Sequence, residues 1–441
     1  MRFYKAIFKA FSKVISKAKI VDYILFILHS FVLVYFLKLS YDVVSTIRPM
    51  PTSDFIYYWN LASDLSIYHK GGIIGFIYAP FKYFGIQPYW SALVVNSNFL
   101  ILVFTTTWLG VKQKNIWYKL GGQLFATFGF AMFALWNTGY AGMVNADFPN
   151  VALLIAATRF FSLYLTSQLS KNSDQPQSKL WLILSGIAIF LAVALRVKTG
   201  LALGIIVGFT ILFNIKKLTK DSVLRAVILT VCIAVFFAAI SELALRSQSD
   251  RPLDVARQGR LQLYTGLLDT EVGSMCGRWT REAYDKTLEE IDLPLVDVIS
   301  KHLSVKSKSY ILDIIFCKLE AVINYDEFSF RETLAFGVKY RDYTVSDLEI
   351  TRHYEKVEEG WVKTFKWITS LLILACIMFR IRYKIRGAFI PFTIYLAFMM
   401  LHSIFEIQAR YMAEPLLWSF FAAVFIIFEI PLKQERTIEN E

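Results

Sequence analysis

Long apolar runs alternate with short charged loops along most of this chain. Ten such runs lie near residues 21–45, 88–110, 118–137, 148–167, 180–196, 199–215, 223–245, 364–380, 387–405 and 412–431. Most approach the roughly 20 residues that an α-helix needs to cross a hydrocarbon core. The fifth and sixth are short and nearly continuous, joined by "RVKTG". A hydrophilic stretch follows the seventh. Within it "LPLVDVISKHLSV" and "YILDIIFCKLEAVI" carry apolar residues at helical spacing, and strand-like alternation is scarce. The pattern predicts an all-α polytopic membrane protein with about ten transmembrane helices and a mostly helical insert.

The first 20 residues have a different rhythm. Lys5, Lys9, Lys13 and Lys17 recur every four residues, while Phe3, Ile7, Phe11 and Val14 fall on another face. That is a basic amphipathic helix suited to an inner leaflet, and no small-residue cleavage site follows it. The expected division is 1–20, a cytoplasmic-face helix; 21–245, about seven spans; 246–360, an extracytoplasmic loop domain; 361–431, about three spans; and 432–441, a solvated cytoplasmic tail.

Composition supports the membrane reading. Of the 441 residues 56% are hydrophobic, with a mean hydropathy of +0.47. Soluble domains sit nearer about 45–50% apolar. The net charge of +12 is unevenly spread: residues 246–360 hold 16 Lys and Arg against 21 Asp and Glu. The basic residues elsewhere lie in short loops and form no single stripe, which argues against nucleic-acid binding. Placing the loops after spans two, six and eight inside satisfies the positive-inside rule in one register. Both termini are then cytoplasmic.

That register sets a different group outside. Asp54 falls in the first external loop, Asp147 in the second, Arg196 and Lys198 in the third, the insert in the fourth, and Glu406 and Arg410 in the fifth. Their convergence on one membrane face is the main functional clue. Each also has a plainer reading. Asp54 in "TSDFIYYWNLASDL" suits a general base at the membrane surface, or a helix N-cap. Asp147 precedes Phe148-Pro149 and suits a cap. Arg196 and Lys198 suit an anionic group such as phosphate, unless their turn lies inside. Glu406 and Arg410, four apart, suit head-group orientation or a structural ion pair.

Cys232 and Cys376 fall in apolar runs and read as inert core residues. Cys276 and Cys317 lie in the insert, where a disulfide and two free thiols are both compatible with the sequence. The five histidines have no ligand spacing, and no Walker-type loop, GxSxG or HExxH occurs. No metal site is assigned, although Asp54 and Asp147 together could hold a divalent ion.

Taken in order, these motifs resemble the GT-C class of polytopic glycosyltransferases, and most nearly family 39, which includes protein O-mannosyltransferases and the lipid A aminoarabinose transferase. "SDFIYYWNLASDL" is similar to that class's first external loop, an Asp followed by a Tyr-rich helix. "ADFPNVALLIAATRFF", "VALRVKTGLAL" and "FEIQARYMAEPLLW" resemble three later segments, and "LQLYTGLLDTEVGSMCGRW" the Gly-rich stretch of related bacterial proteins. One departure stands out. Protein O-mannosyltransferases carry Asp-Glu in the first loop, whereas Asp54 is followed by Phe55, which argues against protein mannosylation.

The resemblance implies an inverting transfer of sugar from a polyprenyl-phosphate donor to a hydroxyl of an extracytoplasmic acceptor. The acceptor class would be a cell-wall polysaccharide, a teichoic acid or a lipid-linked glycan. Asp54 would be the base. Asp147, Glu406 and Tyr58 would orient acceptor or site. Arg196, Lys198, Arg410 and Lys318 would hold the donor phosphate. The lipid-linked donor is the one small molecule implied, with membrane lipids and a glycan as partners. The competing class is a lipid-linked oligosaccharide flippase or secondary transporter.

Overall fold

A computed structural model of the chain describes residues 17–49, 54–63, 73–109, 116–169, 176–214, 260–268, 276–277, 280–290, 292–324, 345–383, 387–405 and 409–429. Its first eight helices are α1 (Lys17–Ile47), α2 (Asp54–Leu61), α3 (Ile73–Tyr83), α4 (Pro88–Thr107), α5 (Ile116–Tyr140), α6 (Asp147–Leu169), α7 (Pro176–Leu195) and α8 (Val197–Asn214). A π-helical turn, Tyr264–Leu268, precedes α9 (Arg281–Glu289), α10 (Leu295–Ser304) and α11 (Tyr310–Asn324). Then come α12 (Val345–Tyr383), α13 (Ile390–Ile404), a 3-10 turn (Ala409–Met412) and α14 (Ala413–Glu429). No strand occurs among the described residues.

Nine of the ten predicted runs coincide with described helices, and the seventh, 223–245, lies outside the described residues. Five helical stretches are long and apolar enough to cross a membrane: Ile20–Ile47, Pro88–Thr107, Asp147–Ser167, Gln177–Leu195 and Arg352–Phe379. The chain is therefore an all-α protein with several membrane-crossing helices by length and composition. The basic N-terminal segment falls mostly outside the described residues.

The core is organised around α14. Every residue from Ala413 to Ile427 is buried, as expected of a helix that is apolar all round. It packs against α5, α6, α12 and α13. Close approach is built into α5: a Cβ on Gly129 would lie 2.3 Å from the Phe420 ring of α14. Several polar side chains within the bundle are paired, which offsets the cost of burying them. His29 Nδ1 meets Thr127 Oγ1 at 2.9 Å, and Ser162 Oγ donates to Glu429 at 2.6 Å beside Arg159. By contrast α1 leaves Ile27 and Phe31 exposed, an apolar face suited to lipid.

Two boundaries differ from the sequence expectation. The insert was expected to end at 360, but α12 runs without a break through Gly360 for 39 residues, about 58 Å at 1.5 Å per residue. Its polarity changes there while its backbone does not. The "RVKTG" link is also tighter than a loop, since Arg196 alone separates α7 from α8. From that junction α8 packs on α13 instead of returning along α7.

The insert's described residues are mainly helical. Tyr264 and Leu268 of the π-turn pack with Ala283 and Val298. The question left open by the sequence is closed: Cys276 and Cys317 are joined in a disulfide. Cys376 is free and buried, as expected of a core thiol, and Cys232 lies outside the described residues.

Candidate functional site

Charged residues converge where three helices begin. α6 starts at Asp147, α8 at Val197 and α14 at Ala413. The contacts below bring these starts together. The N-terminus of α6 is capped by Asn145, whose Oδ1 accepts from Phe148 N at 2.9 Å. The cap reading of Asp147 thus belongs to its neighbour two residues back, which leaves the Asp147 carboxylate available for side-chain partners.

Asp147 forms an ion pair with Arg196, and Lys198 Nζ stands 3.8 Å from its other oxygen. The same Nζ lies 2.9 Å from Glu414 Oε2. Glu414 Oε1 accepts from Asn150 Nδ2 at 2.7 Å and from Thr199 Oγ1 at 3.3 Å, and Thr199 also bonds Asn150 Oδ1 at 3.1 Å. The Tyr411 ring closes the group. Lys198 Nζ sits 4.1 Å from its centroid, a cation–π distance, and His402 stacks on it at 5.6 Å. Glu414 is 1% exposed and Asp147 8%.

These four ionised groups balance, two of each sign. Their setting does not. Three helices begin beside them, and a helix start carries the positive end of its dipole. Such convergence favours anions. Asp147 and Glu414 now occupy that role, each from within the first turn of its own helix. An incoming phosphate would meet the same dipole ends and the same two cations.

The path into Asp147 is held firmly. Asn96 Nδ2 lies within hydrogen-bond distance of the carbonyls of Tyr140, Ala141 and Met143, at 3.1, 3.2 and 3.4 Å. Gly142 lies where a Cβ would meet Pro49 at 2.6 Å. Helix α2 leans on this segment: Phe55 lies against the Tyr140 ring at 6.2 Å, and buried Tyr58 shares an apolar cluster with Val144 and Ala146. The backbone of Asp54, first residue of α2, is thereby placed beside the approach to Asp147. The Asp54 carboxylate itself lies outside the described residues.

Of the residues singled out from sequence, Asp147, Arg196 and Lys198 come together, and Tyr58 packs behind them. Glu406 lies outside the described residues, as does the side chain of Arg410. Lys318 lies on another element. It is buried on α11, and its Nζ donates to Ser403 O at 3.2 Å and Phe405 O at 3.0 Å, carbonyls at the end of α13. There it neutralises a helix C-terminus, and it does not join the Arg196–Lys198 group.

Glu414 is the member that sequence reasoning missed. In "MAEPLLW" it reads as an ordinary acidic first-turn residue before Pro. Nothing in the sequence marks it out, because its burial at the start of α14 comes from tertiary packing. Farther along α6, α7, α8, α13 and α14 lies a cavity of about 200 Å3 lined mainly by apolar side chains, including Leu203, Ile394 and Trp418. No metal-holding group of three or more His, Cys, Asp or Glu occurs among the described residues. No protein-family model matches the chain, and no curated protein or solved structure does.

Proposed function

We propose that this protein is a membrane glycosyltransferase that moves a sugar from a polyprenyl-phosphate donor to a hydroxyl of an acceptor outside the cytoplasm. One observation carries the reading: Arg196 and Lys198 stand together, both partly buried, at a point where three helices begin. That is chemistry for a phosphate held at the end of a helical bundle. The resemblance to GT-C enzymes supplies the rest of the proposal.

In this reading the donor phosphate displaces the carboxylates of Asp147 and Glu414 from the two cations. Arg196 offers a planar fork and Lys198 a point charge. Both stabilise the negative charge that builds on the departing polyprenyl phosphate as the anomeric C–O bond breaks. Asp54 takes the proton of the acceptor hydroxyl, whose oxygen forms the new bond from the opposite face and inverts the anomeric centre. The apolar cavity takes part of the isoprenoid chain. Asp54→Asn is expected to abolish transfer from a polyprenyl-phosphate sugar while donor binding and folding persist. Full turnover by that variant removes Asp54 from the mechanism.

One feature favours the transporter reading. The chain breaks at Arg196 between two apolar helices, and interrupted helices with charges at the break also form transporter sites. Purified protein in vesicles separates the two. A transferase forms a new glycosidic bond when donor and acceptor are supplied, whereas a flippase moves the intact lipid-linked sugar between leaflets.

A further inference from the structure

We propose that α11 is an interfacial helix whose outward apolar stripe lies in the lipid leaflet at which α13 ends. Three stripes run along this helix. Tyr310, Ile314 and Lys318, spaced by four, are buried and fasten it to the protein. Tyr310 Oη donates to Leu267 O at 3.1 Å, and Lys318 is held at the end of α13. A second stripe holds Leu312, Phe316 and Ile323, exposed by 58%, 66% and 68%. A third holds Asp313, Glu320 and Asn324, also exposed.

What covers the apolar stripe follows from its neighbours. Lys366 of α12 donates its Nζ to Ile323 O at 3.2 Å, so the C-terminal end of α11 touches α12 at the start of its apolar run 364–380. The next residue, Trp367, is 74% exposed, and Leu371 a turn farther on is 63% exposed. An outward Trp beside a Lys at the edge of an apolar helix marks the interfacial belt of a bilayer. The apolar stripe of α11 thus adjoins an outward apolar surface suited to lipid. The acidic stripe is set aside for water, as in helices that lie in the membrane plane. The lipid-contacting length of the protein is then greater than its spans alone, and the insert is seated on the membrane by its own helix.

The test uses the full chain in nanodiscs of phosphatidylcholine and phosphatidylglycerol. A diazirine-bearing amino acid replaces Leu312, Ile323, Asp313 or Glu320, one at a time, with the native cysteines kept. After irradiation, lipid adducts are expected at 312 and 323, and water insertion at 313 and 320. Water insertion at all four positions overturns the proposal, and so do crosslinks from 312 or 323 to a second copy of the chain.

Discussion

Lys198 is shared between two carboxylates and an aromatic ring, and such sharing makes each partner costly to remove. Glu414→Ala would leave Lys198 with the more distant Asp147 and would strand Asn150 and Thr199 in the interior. Breaking a buried charge pair costs about 3–5 kcal/mol. Glu414→Gln keeps an acceptor for Asn150 and Thr199 and should cost clearly less. Thermal unfolding of both variants in one detergent measures the difference, and equal losses would show that the hydrogen bonds add nothing. At this scale the sequence was informative about Arg196 and Lys198, because both break a local rule of charge placement, and it added Asp147 only through its place on the same expected face. It was silent on Glu414 because an acid in a first helical turn breaks none. Burial is a tertiary property, and one sequence does not display it.

Helices were the most legible elements, since apolar runs of fixed length leave little choice of structure in lipid. The boundary at 360 was not legible, because a helix carries its backbone hydrogen bonds through a change in polarity. Contacts that bind the insert to the bundle were equally hidden. Gly277 has φ +79°, and a Cβ there would lie 2.4 Å from Lys318 Cε. Gly277→Ala therefore strains the backbone and pushes at the lysine that holds α13, a loss of more than about 1 kcal/mol. Faster proteolysis of the insert than in wild type is the expected readout.

Glu290 gives the insert a pH limit of its own. Burial pushes its carboxyl up, but hydrogen bonds from Lys301 and His302, with their charges, outweigh that and hold it below its ordinary 4.5. A carboxyl with a lowered folded pKa stabilises the native state above its unfolded value, and that stability is lost as pH falls through the folded value. Hydrogen exchange in α9 and α10 should quicken as the medium is taken below pH 4.5. Glu290→Gln should flatten that response.

Among the described residues the bundle gathers the charged cluster around Lys198 at one end. α6 and α14 run side by side in the same direction, as Asn150 meets Glu414 near their starts and Ser162 meets Glu429 farther on. Their N-termini therefore face the same side. The sequence register expected Asp147, Arg196 and Lys198 on one membrane face, and the bundle gathers them at one end. What no periodicity revealed is that helix starts, and not only side chains, supply positive potential there. The disulfide between Cys276 and Cys317 adds a covalent fastening nearby. It sits beside Gly277 and Lys318, and Lys318 holds the end of α13 just ahead of Tyr411. Disulfides form in oxidising compartments. Reduction opens this fastening and leaves the end of α13 held to α11 by the hydrogen bonds of Lys318. The anchorage of α13 thereby answers to the redox state of its surroundings, a control that hydrogen bonds alone would not give it.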